Sequence, residues 1–173
     1  MRLMQNIHAV DVFLFIWISR LKYPKLKVAL AKLISKTADG PLYLIFAIAY
    51  GFQGLVERDL LYCMFMAFLI ERPIYFVLKN LCKRRRPTVA LNIPSFIIPS
   101  DQFSFPSGHT SAAFLMATLL SSYYPDLMPL LFAWASLVGL ARVVLGVHFP
   151  TDTVIGALMG TSIALISMEF FLQ

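Results

Sequence analysis

Charged residues are scarce in this sequence: only 14% of its 173 residues are Asp, Glu, Lys or Arg. Soluble domains carry about 25% charged and about 45–50% apolar residues. Here 59% of the residues are hydrophobic and the mean hydropathy is +0.75. A water-soluble globule of this size cannot bury so much apolar surface, so lipid must solvate much of the chain. The length suggests a single domain over residues 1–173.

Cysteine is also rare, and its two positions exclude several kinds of site. Cys63 lies in an apolar segment and Cys82 lies beside a basic cluster, and neither belongs to a CxxC or Cys/His metal motif. We interpret both as free thiols. The apolar run at 12–19 is followed by Arg20 and Lys22 instead of small residues, so we expect no cleavable signal peptide.

Acidic residues are outnumbered by basic ones, 9 to 15, which gives a formal net charge of +6. No basic stretch is interleaved with aromatic residues in the way that base stacking requires. We therefore expect anionic lipid headgroups or phosphates as partners, and no nucleic acid.

Five apolar segments are long enough to cross a bilayer if neighbouring helices or local thinning assist the shorter ones. They cover residues 41–56, 60–78, 110–124, 127–147 and 153–171. Charged or proline-containing turns separate most of them. The sequence therefore predicts an all-α, polytopic membrane helix bundle with five spans.

The N-terminal region, residues 1–38, contains two shorter segments. Residues 7–19 are mostly apolar but include His8 and Asp11, which leaves open a sixth span or an interfacial helix. Residues 25–36 form an amphipathic pattern, in which Leu26, Leu30 and Leu33 share one stripe. We interpret this second segment as a membrane-surface helix without a catalytic role.

One long polar loop, residues 80–106, follows the second span and is predicted to be an active-site loop, since long loops in compact domains are usually functional. We interpret Lys83-Arg84-Arg85 as a juxtamembrane anchor and Asp101 as a solvated loop residue. Because successive spans alternate in direction, the loop, the start of the third span and the end of the fourth lie at one membrane face. The polar residues gathered there are Lys79, Arg86, Ser107, His109, Arg142, His148 and Asp152.

The three cations of this set, with the start of the third span, suit an oxyanion such as phosphate. Arg86 and Arg142 each present a planar fork that pairs two phosphate oxygens, and Lys79 adds a point charge. Ser107 and Gly108 begin a helix, where unpaired backbone N–H groups and the helix dipole favour an anion.

The two histidines of the set allow a division of labour between attack and proton transfer. His148 and Asp152 are four residues apart, so the carboxylate can orient the imidazole as a nucleophile. His109 can then protonate the leaving oxygen.

The spacing of these residues forms three blocks: Lys79-x6-Arg86-Pro87, Pro106-Ser107-Gly108-His109 and Arg142-x5-His148-x3-Asp152. This pattern resembles the signature of the type 2 phosphatidic acid phosphatase family, which is similar to vanadium haloperoxidases and bacterial acid phosphatases. The resemblance covers about half the chain. One departure is Ala141, where the family often has serine.

The resemblance implies a role for each matched residue. His148 is implied to form a phosphohistidine, Asp152 to orient it, and His109 to act as general acid. The resemblance implies no metal and no other cofactor. The implied phosphate ligands are Lys79, Arg86, Ser107, Gly108 and Arg142.

The resulting hypothesis is a membrane lipid phosphatase with a lipid phosphate as substrate. Phosphatidylglycerophosphate, phosphatidic acid, undecaprenyl diphosphate and lipid A phosphate are the candidates by resemblance. Two alternatives are a phosphotransferase that passes the phosphate to an alcohol and a non-catalytic protein that binds anionic lipid. A vanadate-dependent peroxidase is a more distant third.

The membrane face of the site receives conflicting indications. Most lysines and arginines of the predicted loops lie on the catalytic side, which by the positive-inside rule favours the cytoplasm. Family resemblance indicates the outer face of a bacterial inner membrane, and that is the face we predict. The sequence leaves the oligomeric state open.

Overall fold

The protein is built almost entirely of helices, as seen in a computed structural model that describes residues 2–20, 25–52, 58–93, 96–99 and 101–171. The described residues form no extended sheet, and an isolated antiparallel bridge joins Arg85 to Phe103. The predicted all-α bundle is thus confirmed. Its helices are α1 (Arg2–Arg20), α2 (Lys25–Lys36), α3 (Gly40–Phe52), α4 (Arg58–Cys82), α5 (Pro87–Ala90), α6 (Gly108–Tyr123), α7 (Met128–Val144) and α8 (Pro150–Phe171).

The five predicted spans correspond to α3, α4, α6, α7 and α8. The predicted end of the first span, at 53–56, lies outside the described residues. Among the described residues, three helices are long and apolar enough by length and composition to cross a membrane: Asp59–Cys82, Pro125–Val144 and Pro150–Phe170. The apolar stretches Ala9–Ile18 in α1 and Gly40–Gly51 in α3 are shorter.

Helix α6 occupies the centre of the bundle, packed against α4, α7 and α8. Its residues from Thr110 to Ala113 and from Leu115 to Leu119 are buried, so its polar residues Ser111 and Thr118 contact protein instead of lipid. This position explains how a helix of 16 residues with several hydroxyl groups fits into a membrane bundle.

Two glycines of α8 set its distance from α6. A Cβ atom on Gly160 would lie 2.0 Å from the carbonyl oxygen of Ser111, and one on Gly156 would lie 2.6 Å from that of Ser107. Both distances are shorter than any real contact, so only glycine permits this approach. These two glycines, four residues apart, therefore mark a helix interface.

The N-terminal helices pack on the outside of this core. Phe15 of α1 contacts Phe149 edge to face, with ring centroids 5.7 Å apart. Helix α2 has the predicted bounds and packs on α7. Its Leu26 and Leu33 are exposed, while Ala31 and Ser35 face the protein. The helix thus turns a small-residue face towards the bundle and its leucine stripe away from it.

Candidate functional site

The predicted site residues lie at one end of the bundle, on the ends of α4, α6, α7 and α8 and in the loops that adjoin them. Two hydrogen bonds to backbone carbonyl oxygens join the three sequence blocks. The Ser107 amide donates to the Asp152 carbonyl oxygen over 3.0 Å, and Arg86 Nη1 donates to the Val147 carbonyl oxygen over 2.7 Å. Gly146, with a φ of 80°, makes the left-handed turn after α7 that leads into His148.

A cavity of about 540 Å³ opens at this meeting point. Five of the eight predicted site residues line it: Arg86, Gly108, His109, Arg142 and His148. The remaining three, Lys79, Ser107 and Asp152, are buried behind them and hydrogen-bonded to neighbouring groups. The convergence inferred from the alternating spans is therefore present in the structure.

Asp101 pairs with two of the cations at the polar end of this cavity. Its Oδ2 accepts from Lys79 Nζ at 2.7 Å and from the Tyr75 hydroxyl at 2.9 Å, and its Oδ1 accepts from Arg86. Burial would raise the pKa of Asp101, but the bonds and charges of Lys79, Tyr75 and Arg86 together lower it below its usual value. The expectation that Asp101 is a solvated loop residue is wrong, because this loop folds back over α4.

Arg142 supplies the third cation from the last turn of α7. Its Nη1 donates to the Ser35 hydroxyl over 2.8 Å, so α2 contributes to the site and its assignment to the membrane surface alone is wrong. Within the described part of the chain, the buried Nε of Arg142 has no hydrogen-bond partner. An anion in the cavity would be able to satisfy it.

His148 is almost fully buried, and its ring faces Asp152 on one side. Its Nδ1 lies 3.8 Å from Asp152 Oδ2 and forms no hydrogen bond to any described residue. Burial lowers the pKa of His148 to about 4, although the adjacent Asp152 carboxylate opposes this shift. With this pKa the imidazole is neutral near pH 7, which is the form that the predicted role of nucleophile requires.

Arg84 holds Asp152 in place, a function that the sequence did not reveal. Its Nη1 donates to Asp152 Oδ1 and to the Thr151 hydroxyl, both over 2.8 Å, and its Nη2 pairs with Asp11 of α1. The guanidinium also lies 4.4 Å from the centre of the Phe149 ring. The expected juxtamembrane anchor is therefore wrong for Arg84, because two buried carboxylates draw it into the protein.

The start of α6 offers less to an anion than its sequence suggests. The Ser107 amide is already bonded to Asp152, and its hydroxyl pairs with that of Thr110 at 2.9 Å. Gly108 packs against the Tyr75 ring, since a Cβ atom there would lie 2.9 Å from a ring carbon. Gly108 thus permits the close contact between α6 and α4 beside the cavity.

His109 is bonded to a residue far from the sequence blocks. Its Nε2 lies 2.9 Å from Oδ1 of Asp39, which lies between α2 and α3. Sequence reasoning missed Asp39 because nothing in its local pattern links it to a residue 70 positions away.

The pairing of Asp101 with two cations leads to a prediction for Asp101→Asn. A carboxylate there competes with any incoming oxyanion for Lys79 and Arg86, and charge-assisted bonds each contribute about 1.5–3 kcal/mol. The variant should bind vanadate more tightly, on the order of 10-fold, in a calorimetric titration of the detergent-solubilised protein.

Asp126→Asn, in the exposed turn at the other end of the bundle, serves as the control and should bind vanadate like the parent protein. Weaker vanadate binding by Asp101→Asn would show instead that the carboxylate assembles the cations.

Comparisons with known proteins show relatives over about half of the chain. The chain is 33% identical over 104 residues to the decaprenylphosphoryl-5-phosphoribose phosphatase of Mycobacterium tuberculosis, covering 56% of this chain and 53% of that protein. It is 32% identical over 108 residues to phosphatidylglycerophosphatase B of Bacillus subtilis, covering 56% and 51%. The chain thus spans about half the length of the curated relatives it matches.

Two solved structures share the whole fold. The crystal structure of Aquifex aeolicus LpxE superposes with a TM-score of 0.83 at 28% identity, over 92% of this chain and 95% of that one. The transmembrane PAP2 type phosphatidylglycerolphosphate phosphatase of Bacillus subtilis gives a TM-score of 0.79 at 25% identity, over 95% and 86%. The model of the PAP2 superfamily matches residues 57–173, more than half of the sequence, and the chain therefore belongs to the PAP2 superfamily.

Proposed function

We propose that this chain is a membrane lipid phosphatase that hydrolyses a phosphomonoester or diphosphate of a lipid through a phosphohistidine on His148. The relatives named above include phosphatases whose names specify lipid phosphates. Membership of the same superfamily and the shared fold support a reaction of the same kind.

The cavity has one charged end and apolar walls, and this combination is the main support for a lipid substrate. One end presents cations and imidazoles, while the walls between α3 and α4 are apolar. Leu44 and Phe65 line these walls and are each 63% exposed, so the groove between the two helices is open on the side that lipid would cover. The residues of this apolar section include Leu44, Ala47, Ile48, Leu61, Phe65 and Phe68. A phosphate with an acyl or prenyl chain matches both ends at once.

In the first chemical step, the neutral ring of His148 attacks phosphorus and the bond to the lipid oxygen breaks. With Nδ1 on the side of Asp152, Nε2 is the nitrogen available to the cavity. Asp152 is itself fixed by Arg84 and by the Phe149 amide, which donates over 2.8 Å. A carboxylate held in this way stabilises the positive charge that the ring acquires on attack.

Binding of the phosphoryl oxygens is assigned chiefly to the cations around the cavity, and in a lesser part to the start of α6, where Ser107 would first have to give up its present hydrogen bonds. These groups stabilise the charge spread over the equatorial oxygens in the transition state. They are Lys79, Arg86, Ser107, Gly108 and Arg142, of which Arg142 has an open buried donor. His109 protonates the leaving alcohol, and a water then releases phosphate from His148, with His109 accepting its proton.

The proposal is tested by phosphate release from a panel of lipid phosphates with EDTA present. The panel comprises phosphatidylglycerophosphate, phosphatidic acid, undecaprenyl diphosphate and lipid A phosphate, with glycerol phosphate as a chain-free comparison. We expect at least one lipid to be hydrolysed well above glycerol phosphate, and His148→Ala to lower that turnover by at least about 10³-fold.

A matched control is His8→Ala, since His8 has no assigned role; its side chain lies outside the described residues. Unchanged hydrolysis in His148→Ala would exclude His148 as nucleophile. Binding of lipid phosphates without any hydrolysis would favour the non-catalytic alternative, and faster phosphate loss when an alcohol acceptor is added would favour the phosphotransferase.

We further propose that the site faces the outside of a bacterial inner membrane. The relatives come from bacteria, and Arg84, being paired inside the protein, no longer counts towards the positive charge of the catalytic side. The lysines of α2 can contact anionic lipid headgroups on either face of the membrane, so they do not decide the orientation.

The native thiols allow this orientation to be measured, because Cys82 is exposed at the catalytic end of α4 while Cys63 is buried. A membrane-impermeant maleimide should label Cys82 in intact spheroplasts. Asp126→Cys in a Cys82→Ser background, at the opposite end, should react only after permeabilisation. The reverse pattern would place the site in the cytoplasm.

A further inference from the structure

The ring of His109 is held by a carboxylate that lies outside the superfamily match. Asp39 precedes residues 57–173, yet its Oδ1 lies 2.9 Å from His109 Nε2. His109 lines the main cavity, and both residues line a smaller cavity on the side of α2. The contact therefore links the N-terminal region directly to the group proposed as general acid.

The backbone around Asp39 is fixed on both sides. The Asp39 amide donates to the Lys36 carbonyl oxygen over 3.1 Å, and its own carbonyl oxygen accepts from Leu42 over 3.0 Å. Two residues earlier, the Thr37 hydroxyl accepts from the Trp134 indole of α7 over 2.8 Å. The turn that bears the carboxylate is thus attached to α7 as well as to α2 and α3.

Charged side chains of both signs surround His109, and the Asp39 carboxylate is the negative one. Arg142 from α7 and Arg72 from α4 both act on the ring, and Asp39 supplies the negative charge. A bond from Nε2–H to Asp39 leaves Nδ1 on the other side of the ring, where a leaving oxygen can receive its proton. In the other pair of the site, Asp152 faces Nδ1 of His148.

We propose that Asp39 is a positioning residue that holds His109 for proton donation to the leaving alcohol. The inference rests on the proposed function, since it requires phosphoryl transfer from a lipid alcohol. In the step that it assists, His109 starts as the imidazolium, with protons on both ring nitrogens. The P–O bond to the alcohol breaks, the departing oxygen takes the Nδ1 proton, and the ring is left neutral with its Nε2–H still donating to Asp39. Asp39 itself does not touch the substrate.

The test compares two leaving groups. An alkyl lipid phosphate needs a proton on its departing oxygen, whereas p-nitrophenyl phosphate releases a stable phenolate without one. Asp39→Asn should lower kcat/KM for the lipid phosphate by about 10- to 100-fold. It should change kcat/KM for p-nitrophenyl phosphate by less than about threefold and leave both KM values nearly unchanged.

Two further variants separate positioning from a general structural effect. His109→Gln should show the same dependence on leaving group, and adding Asp39→Asn to it should cause little further loss, because the two residues act as a unit. Asp39→Glu should recover part of the lost activity. The control Asp126→Asn should behave like the parent protein.

Several results would overturn the inference. An equal loss with both substrates would show that Asp39 only supports the fold, and a gain with the lipid phosphate would show that it holds His109 away from the substrate. If the parent protein hydrolyses lipid phosphates and Asp39→Asn has no effect, the positioning role of Asp39 is excluded while the proposed function stands. A parent protein that hydrolyses no lipid phosphate would overturn the proposed function as well.

Discussion

Pairing of buried positive charge with carboxylates shapes most of this site. An unpaired charge in such surroundings costs several kcal/mol, about 3–5 when one partner of a buried pair is removed. Lys79 and Arg86 meet Asp101, and Arg84 meets Asp11 and Asp152. Each pair joins parts of the chain that are distant in sequence, so the electrostatic matching also closes the fold around the cavity.

Arg142 differs from these cations within the described part of the chain. Its hydrogen-bond partner is the neutral Ser35 hydroxyl, and its Nε is buried without one. Positive charge left uncompensated beside a cavity attracts an anion. The structure therefore offers an incoming anion two kinds of cation. Arg142 has a neutral hydrogen-bond partner, whereas Lys79 and Arg86 would have to exchange Asp101 for the anion.

The apolar framework places these charges at the right distance. Gly156 and Gly160 bring α8 against the backbone of α6, which puts the start of α8, with Asp152, beside Ser107. The cavity between α3 and α4 then joins the charged end to the lipid-facing surface. A larger residue at either glycine would push apart the two helices that carry His109 and Asp152.

The sequence predicted the spans and the convergence well, because hydropathy and alternating direction follow from the bilayer itself. It also predicted that the three blocks meet, because the residues within each block are close in sequence and the alternating spans bring the blocks to one end of the bundle. The partners Asp11, Asp39 and Asp101 were missed or misread, since each lies in a segment whose local pattern indicates only an apolar helix, a turn or a loop. Arg84 was misread for the same reason. A charged residue in a basic run is predicted to be solvated unless its distant carboxylate partner is known.

The same limit explains α2, whose leucine stripe predicted a membrane-surface helix. The stripe does face outward. On the opposite face, Ser35 accepts a hydrogen bond from Arg142, and Asp39 lies just after the end of the helix. An amphipathic pattern identifies the lipid-facing side of a helix and says little about single polar residues on the other side.

The proposed chemistry depends on a covalent phosphoryl bond to the imidazole of His148. The decisive measurement detects this bond. The protein is quenched rapidly at alkaline pH while it turns over a lipid phosphate with a labelled phosphoryl group, and its peptides are then analysed by mass spectrometry. We expect the labelled phosphoryl group on His148. The label should be absent in His148→Ala, whereas His109→Gln should still form the labelled phosphohistidine, but slowly. Label on another residue, or turnover without any phosphorylated peptide in a quench fast enough to capture one, would contradict the account.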